Sequence, residues 1–400
     1  MFGFFSKKKK KAKTGPVICA RPDHCISRKN IDPDALKVLY RLSGLGYDAY
    51  LVGGGVRDLL LGRTPKDFDV GTSARPNEVK RAFRNCFLIG RRFRLAHVRF
   101  GHKVIETATF RANSQSVGEI IEHAAEGPME DNTFGTPETD ANRRDFTVNG
   151  LFYDIKTFAV IDYVGGLKDL KRRLIRSIGD PMIRFREDPV RMMRAIKFSS
   201  RLGFEIEKGT DKAIRKLHSC ILTASAPRVC EEVFRLFTYG VGSKAFKMLY
   251  DYGLMHDLMP DLAAFIDGDG GERSSTWMYL AVLDRFESAM HARGFEVPNG
   301  LRAAVLYTAM ARRTGAREAL GTMLRSLKIP KAAYFSAIFM IDSVKRLSKP
   351  PAQGRRRFVG HRDFPDALDY NRIVARTEGL DEQVLDKWAN LYNLQQGEET

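Results

Sequence analysis

The spacing of apolar residues changes along the chain, and this change constrains the fold more than any single motif. Strand and helix patterns alternate up to about residue 110. "DPDALKVLYRLSGLGY" opens at Asp32 with an Asp-Pro start, carries Leu36, Leu39 and Tyr40 at helical spacing, and is ended by Gly44 and Gly46. "DAYLVGG" then reads as a strand, "GVRDLLLG" as a short helix closed by Gly62, "DFDVGTS" as a strand and "NEVKRAFRNC" as a helix. "RLAHVRFG" and "KVIETATFR" follow as two strands joined hairpin-fashion through Gly101-His102. Beyond residue 205 the period is helical almost throughout, as in "PRVCEEVFRLFTYG" and "GSKAFKMLYDYGLMHDLMP". The expected class is therefore α+β, a small mixed-sheet head followed by an all-helical neck and body.

Charge divides the chain further. Sixty-six Lys+Arg against 48 Asp+Glu give a net +18, which favours a polyanionic partner, nucleic acid or an anionic membrane. Residues 112–142 hold seven acids and no Lys or Arg, and read as a mobile acidic loop leaving the sheet. Basic character returns from 160 to 201, and again in the run that ends "GRRRFVGHRDF". The expected boundaries are a disordered basic tail at 1–31, a head at 32–175, a neck at 176–240, a body at 241–345 and a basic RNA-binding segment at 346–400. Cys19, Cys25, Cys86, Cys220 and Cys230 are odd in number and form no CxxC pair, which argues against a disulfide framework or a structural zinc site. No apolar run approaches the roughly 18 residues of a membrane span, and the basic residues follow no amphipathic anchor helix. A cytoplasmic protein that does not engage membrane is expected.

Two motifs in the head bear on chemistry. In "LVGGGVRDLLLG", Gly53, Gly54 and Gly55 between a strand and a helix let backbone approach a ligand closely, and Arg57 one turn on can fork onto phosphate oxygens. The spacing fits neither the dinucleotide nor the P-loop fingerprint. Thirteen residues after Gly54 comes Asp67, and Asp69 follows at the two-residue period of a strand. Two facing carboxylates repel unless a cation lies between them, and Mg²⁺ is normally held by one or two carboxylates together with substrate phosphates. Glu106 in "VIETATFR" lies on a neighbouring strand, as a third ligand or as an edge charge facing water.

Two further clusters carry nucleotide-binding chemistry. "RRDFTVNG" groups Arg143, Arg144, Asp145 and Asn149, suited to phosphate and ribose hydroxyls, or else to a cap and two surface arginines. In "REDPVRMMRAIKF", Asp188 and Arg191 stand three apart on one helix face. An acceptor beside a donor complements the Watson–Crick edges of adenine and cytosine and refuses guanine and uracil. The competing reading makes Asp188 the cap before Pro189.

In this order the segments "LVGGGVRDLLLG", "PKDFDV", "IETATFR", "RRDFTVNGLFYD", "DYVGGLKDL" and "RFREDPVRMMRAIKFSSRLGF" resemble the class II nucleotidyltransferases, the bacterial poly(A) polymerases and tRNA CCA-adding enzymes. "FRNCFLIGRRFRLAHVRFG" and "DNTFGTPETDANRRDFT" are more similar to the poly(A) polymerases. The resemblance implies a nucleotidyltransferase head with Asp67 and Asp69 on Mg²⁺, and Arg57 with Gly53, Gly54 and Gly55 on the triphosphate. It further implies Arg144, Asp145 and Asn149 on the sugar-phosphate, Asp188, Arg191 and Arg194 on the base, and Asp145 in the active centre; Glu106 joins the catalytic carboxylates on its place in the neighbouring strand. The expected reaction is Mg²⁺-dependent, template-independent addition of adenylate from ATP to RNA 3′ ends, by a monomer acting in mRNA processing. CCA addition to tRNA from CTP and ATP is the alternative, and an inactive RNA-binding relative the third.

Overall fold

The computed structural model describes residues 15–90, 94–112, 134–351 and 356–397. It divides into two compact units, Met1–Asp180 and Pro181–Thr400. The division falls five residues beyond the expected end of the head.

The first unit is built on an eight-stranded mixed sheet. Its strands are β1 (Val17–Cys19), β2 (Ala49–Val52), β3 (Asp69–Thr72), β4 (Cys86–Ile89), β5 (Leu95–Phe100), β6 (Lys103–Thr109), β7 (Leu151–Asp154) and β8 (Val160–Asp162). They lie in the order β1-β8-β7-β2-β3-β6-β5-β4. Every pairing is antiparallel except β3 with β6, which run parallel. Helices α1 (Pro33–Gly44), α2 (Gly54–Leu60), α3 (Pro76–Ala82), α4 (Pro137–Arg143) and α5 (Gly166–Arg172) connect them. Helix α1 begins where expected, because the Asp32 carboxylate accepts from the amides of Asp34 and Ala35. It buries Ala35, Val38, Leu39 and Leu42.

Two expectations are corrected, and one element is added. Regular structure starts with β1, inside the segment read as a tail; residues 1–14 of that segment, with the lysine run, lie outside the described residues. The acidic stretch is not wholly a loop, since Arg111 bridges to Phe134 and residues 137–143 form α4 behind a Thr136 cap. Its centre, 113–133, lies outside the described residues. The added element is the pair β7 and β8, which occupies the apolar run after Asn149 and lies between β2 and β1. The Asp162 carboxylate there accepts four successive amides, from Val164 to Leu167 at 2.8–3.0 Å, which shapes the "DYVGG" turn. A Cβ on Gly166 would come within 2.2 Å of the Thr147 carbonyl, so only glycine lets that turn support residues 147–149.

Regular elements in the second unit are helical apart from the short strand Glu205–Ile206. Helices α6 (Pro181–Glu187) and α7 (Val190–Leu202) lead it, and Gly203 at φ +70° ends α7. Helix α8 (Lys208–Leu217) and α9 (Ala226–Arg235) follow. Deeper in the body the helix Asn299–Thr314 is buried from Leu301 to Ala311, Arg302 aside, as a helix surrounded by others must be. The C-terminal segment is not a separate basic appendage. Phe364–Glu378 packs on Lys331–Leu347, and Trp388 of the last helix is buried with its indole N–H donating to the Lys349 carbonyl at 2.8 Å. Residues 352–355, with Arg355, lie outside the described residues.

Candidate active site

β2 delivers the chain into the glycines. Gly53 has φ +71° and ψ −131°, a conformation open to glycine alone, and a Cβ there would lie 2.8 Å from Arg144 Nη1. The missing side chain is therefore what lets the Arg144 guanidinium reach the strand–helix turn. A Cβ on Gly55 would meet the Asp67 carbonyl at 3.4 Å, so the lead-in to β3 rests on the same turn.

Asp69 is the first residue of β3 and pairs with Val52. Asp67 precedes the strand and is exposed, which corrects the reading of both carboxylates as members of one strand. They still feel one another. Burial first, then Glu106 and Asp67, push the Asp69 carboxyl up to about 6, against the opposing charge of Arg144. The parallel register that sets Val70 against Thr107 brings Asp69 level with Glu106 on β6. Glu106 is half-exposed, with His97 Nε2 3.9 Å from its carboxylate. Among the described residues no three His, Cys, Asp or Glu side chains form a ready-made metal cage.

The glycine motif's arginine is not where the sequence suggests. Arg57 is 1% exposed; its guanidinium donates to Asp58 Oδ1 at 2.8 Å and to Asn149 Oδ1 at 2.5 Å. Burial removes it from the triphosphate role and makes it an anchor between α2 and the turn 147–149. Asn149 is likewise buried, with Oδ1 taken by Arg57 and Nδ2 donating to Asp145 Oδ1 at 3.0 Å. Both ends of its side-chain amide are thus engaged within the head. The half-buried Asp145 carboxylate also accepts from the Phe146 amide at 2.8 Å. Arg144, by contrast, reaches the turn of Gly53 while its Nε and Nη2 are held by Asp140 Oδ2 at 3.2 and 2.9 Å. Burial opposes ionisation of Asp140, yet Arg144 and Arg143 outweigh it and hold its carboxyl below the ordinary range.

In the helical unit Asp188 sits between α6 and α7. Its side chain caps no helix end: Oδ2 accepts from Arg228 Nη2 at 2.9 Å and lies 3.8 Å from Arg191 Nε. Oδ1 is buried and makes no hydrogen bond. Arg194, part-exposed, lies 3.5 Å from Glu232 of α9, which Lys197 also meets at 2.5 Å, so these charges tie α7 to α9.

Residues 49–176 match the family described as poly A polymerase head domain, and residues 203–266 the one described as probable RNA and SrmB-binding site of polymerase A. Poly(A) polymerase I of Escherichia coli O157:H7 is 39% identical over 394 residues, which span 93% of this chain and 84% of that one. The chain belongs to the bacterial poly(A) polymerase I family. The Haemophilus influenzae poly(A) polymerase I is 36% identical over 94% of this chain and 87% of its own length. A CCA-adding enzyme of Lactobacillus helveticus reaches 38% over only 57% of this chain and 55% of its own. Among solved structures, the Bacillus stearothermophilus CCA-adding enzyme in complex with CTP matches with TM-score 0.66 and 27% identity, over 91% of this chain and 82% of that one.

Two residues of this poly(A) polymerase family member escape the sequence reading. Asp140 lay inside the supposed loop, although its i,i+4 spacing to Arg144 is a helical signal. Asp58 is visible only as an acid in a short helix until Arg57 is known to be buried. The Gly53 geometry carries a prediction. Gly53→Ala places a methyl against Arg144 at a positive φ, a strain of about 1–3 kcal/mol. Nucleotide incorporation should fall at least tenfold while RNA binding by anisotropy stays unchanged; equal activity would show that Arg144 can stand elsewhere.

Proposed function

We infer that the chain extends RNA 3′ ends with adenylate drawn from ATP, the 3′-hydroxyl attacking the α-phosphate and pyrophosphate leaving. The observation that carries this reading is the level placement of Asp69 and Glu106 on parallel strands, with Arg144 drawn against the glycine turn beside them. A pure RNA-binding module would gain nothing from carboxylates gathered this way, since they repel phosphates.

The donor set fits Mg²⁺. It is all oxygen, and burial first, then Glu106 and Asp67, raise the Asp69 carboxyl against the charge of Arg144, a balance that a bound cation would reverse. Asp67 and Asp69 would hold the ion. Bound there, it would supply a lowered pKa for the RNA hydroxyl and charge neutralisation for the departing pyrophosphate. The chain's own groups then position the reactants, which is most of what phosphoryl transfer asks of a protein. Arg144 meets phosphate with a guanidinium fixed by Asp140. Asn149, itself held by Arg57, orients the Asp145 carboxylate toward the sugar. Glu106 adds negative charge beside Asp69. The glycine backbone leaves room for the triphosphate.

Base choice falls to Asp188 and Arg191. The buried Oδ1 of Asp188 is an acceptor in want of a donor, and an exocyclic amine of adenine supplies one. Cytosine offers the same pattern, so a CCA-adding activity from CTP and ATP is the second reading, favoured by the structural likeness to the B. stearothermophilus enzyme. Asp188→Ala should lower efficiency with ATP by about 10–100-fold, the worth of one hydrogen bond to a charged group. GTP use should not improve as steeply, and an unaltered ATP preference would remove Asp188 from base reading.

No helix among the described residues is long and apolar enough to cross a membrane. A monomer working on mRNA 3′ ends in the cytoplasm, without membrane attachment, completes the proposal. Its test offers purified protein and Mg²⁺ a tRNA lacking its 3′ CCA and an unstructured oligonucleotide, with ATP, CTP or both. Long A-only extension of the oligonucleotide supports polyadenylation. Addition of C, C and A to the tRNA followed by a stop replaces it with CCA addition.

A further inference from the structure

We propose that the head carries a second nucleotide-binding site, on the sheet face opposite Asp69, where Arg21, Arg28 and Lys29 take a phosphate and Tyr40 and Phe158 flank the base above the buried Tyr153. The register sets Val52 level with both Asp69 and Phe152, so these three share one face. Tyr153, next along β7, points to the other. A cleft of about 500 Å³ opens there, lined by the six residues just named together with Ser27 and Leu36. Its size is that of a small-ligand pocket.

The chemistry of the lining is that of a single-strand nucleic-acid subsite, cations for the backbone and rings for stacking. No Asp or Glu lines it among the described residues. Arg28 Nη1 donates to Tyr40 Oη at 3.0 Å, and its guanidinium carbon stands 4.7 Å from the centre of the Phe158 ring. Arg21 Nη1 donates to the His24 carbonyl at 3.2 Å. None of the three cations has a carboxylate partner among the described residues, so their charge is left for a ligand. The backbone gives an independent observation. Phe158 is held at φ +59°, a conformation costly for a bulky residue and easy for glycine. The turn is kept in place by His24 Nε2, 2.9 Å from the Phe158 carbonyl. A ring maintained there at that cost, beside an arginine that no carboxylate neutralises, points to a stacking surface.

An internal nucleotide of the RNA strand and a free nucleotide share this chemistry, and the test separates them. The full chain is irradiated with an oligo(A) of about 20 nucleotides, longer than one single-strand subsite, carrying 4-thiouridine near its 5′ end. Cross-links are expected in the peptides of Tyr40 or Phe158. The Arg28→Ala/Lys29→Ala variant should bind this RNA about tenfold more weakly, with a shallower salt dependence. Extension of a short primer should be unchanged. Phe158→Gly, which relieves the backbone, should keep the melting temperature and lose the cross-link. Displacement by millimolar AMP or ATP assigns the site to free nucleotide; persistence of the cross-link assigns it to the strand. Absence of cross-links here with unaltered affinity in both variants overturns the site. A protein inactive on every RNA yet cross-linked at these peptides would sink the polymerase reading and leave this site standing.

Discussion

Asp69→Asn is expected to reduce adenylate incorporation by roughly 10³-fold or more, the scale on which charge aimed at a reacting centre is felt. The variant keeps the volume of the side chain, removes its charge and turns one acceptor oxygen into an N–H donor. Asp69 is where burial, Glu106, Asp67 and Arg144 converge, so the loss falls on the group most tightly bound into the electrostatics of the site. Asp67→Asn should act in the same sense. Glu106→Gln should cost less, because that carboxylate is half-exposed and water can replace part of its charge. RNA affinity should be unaffected in all three, which filter binding would establish beside the incorporation assay. Retention of more than about a tenth of wild-type activity in Asp69→Asn, a barrier change of only 1.4 kcal/mol, would remove Asp69 from the reaction.

The second large effect concerns folding. Arg57→Ala should lower the free energy of unfolding by about 3–5 kcal/mol, the cost of breaking a buried ion pair by removing one member. Asp58 is 3% exposed and would lose a guanidinium contact at 2.7 Å, while Asn149 would lose its donor at 2.5 Å. Arg57→Lys should recover little, since one ammonium cannot serve Asp58 and Asn149 with the same fork. Urea unfolding of the three proteins measures this. A loss below about 1 kcal/mol for Arg57→Ala would return Arg57 to the surface role that its motif suggests.

Much of the head was legible because glycine punctuates it. Gly44, Gly46, Gly53 and Gly62 mark the ends of α1, β2 and α2, and the β5–β6 hairpin turns at Gly101 as its sequence indicates. The carboxylates of the site were legible as well, since Asp67, Asp69 and Glu106 lie within the strands and turns that alternation reveals. What stayed hidden depends on partners distant in sequence. Nothing near Val17 announces a strand, because β1 exists only through its pairing with β8. Arg57 looks like a phosphate ligand until Asn149, 92 residues on, takes its guanidinium. Asp140 was lost to composition: an acidic stretch reads as loop, while the burial that pairs Asp140 with two arginines is a tertiary fact. In the helical unit the Asp188–Arg191 spacing was plain, but the ion pair of Arg194 with Glu232 required α9 to be in place.

The order of strands also bears on biosynthesis. β2 lies between β3 and β7, and β1 waits for β8, so the sheet joins segments separated by more than a hundred residues. Contacts of that separation form late, after the closure entropy of a long loop has been met. A nascent chain that has emerged only as far as Thr109 already carries Gly53, Asp67, Asp69 and Glu106. It still lacks β7 and β8, the Arg144 that reaches the glycine turn and the Asn149 that anchors Arg57. The head's share of the proposed centre is thus complete only once the ribosome has passed Asp162, and a fragment ending at Thr109 would hold Asp67, Asp69 and Glu106 without Arg144 or Asn149.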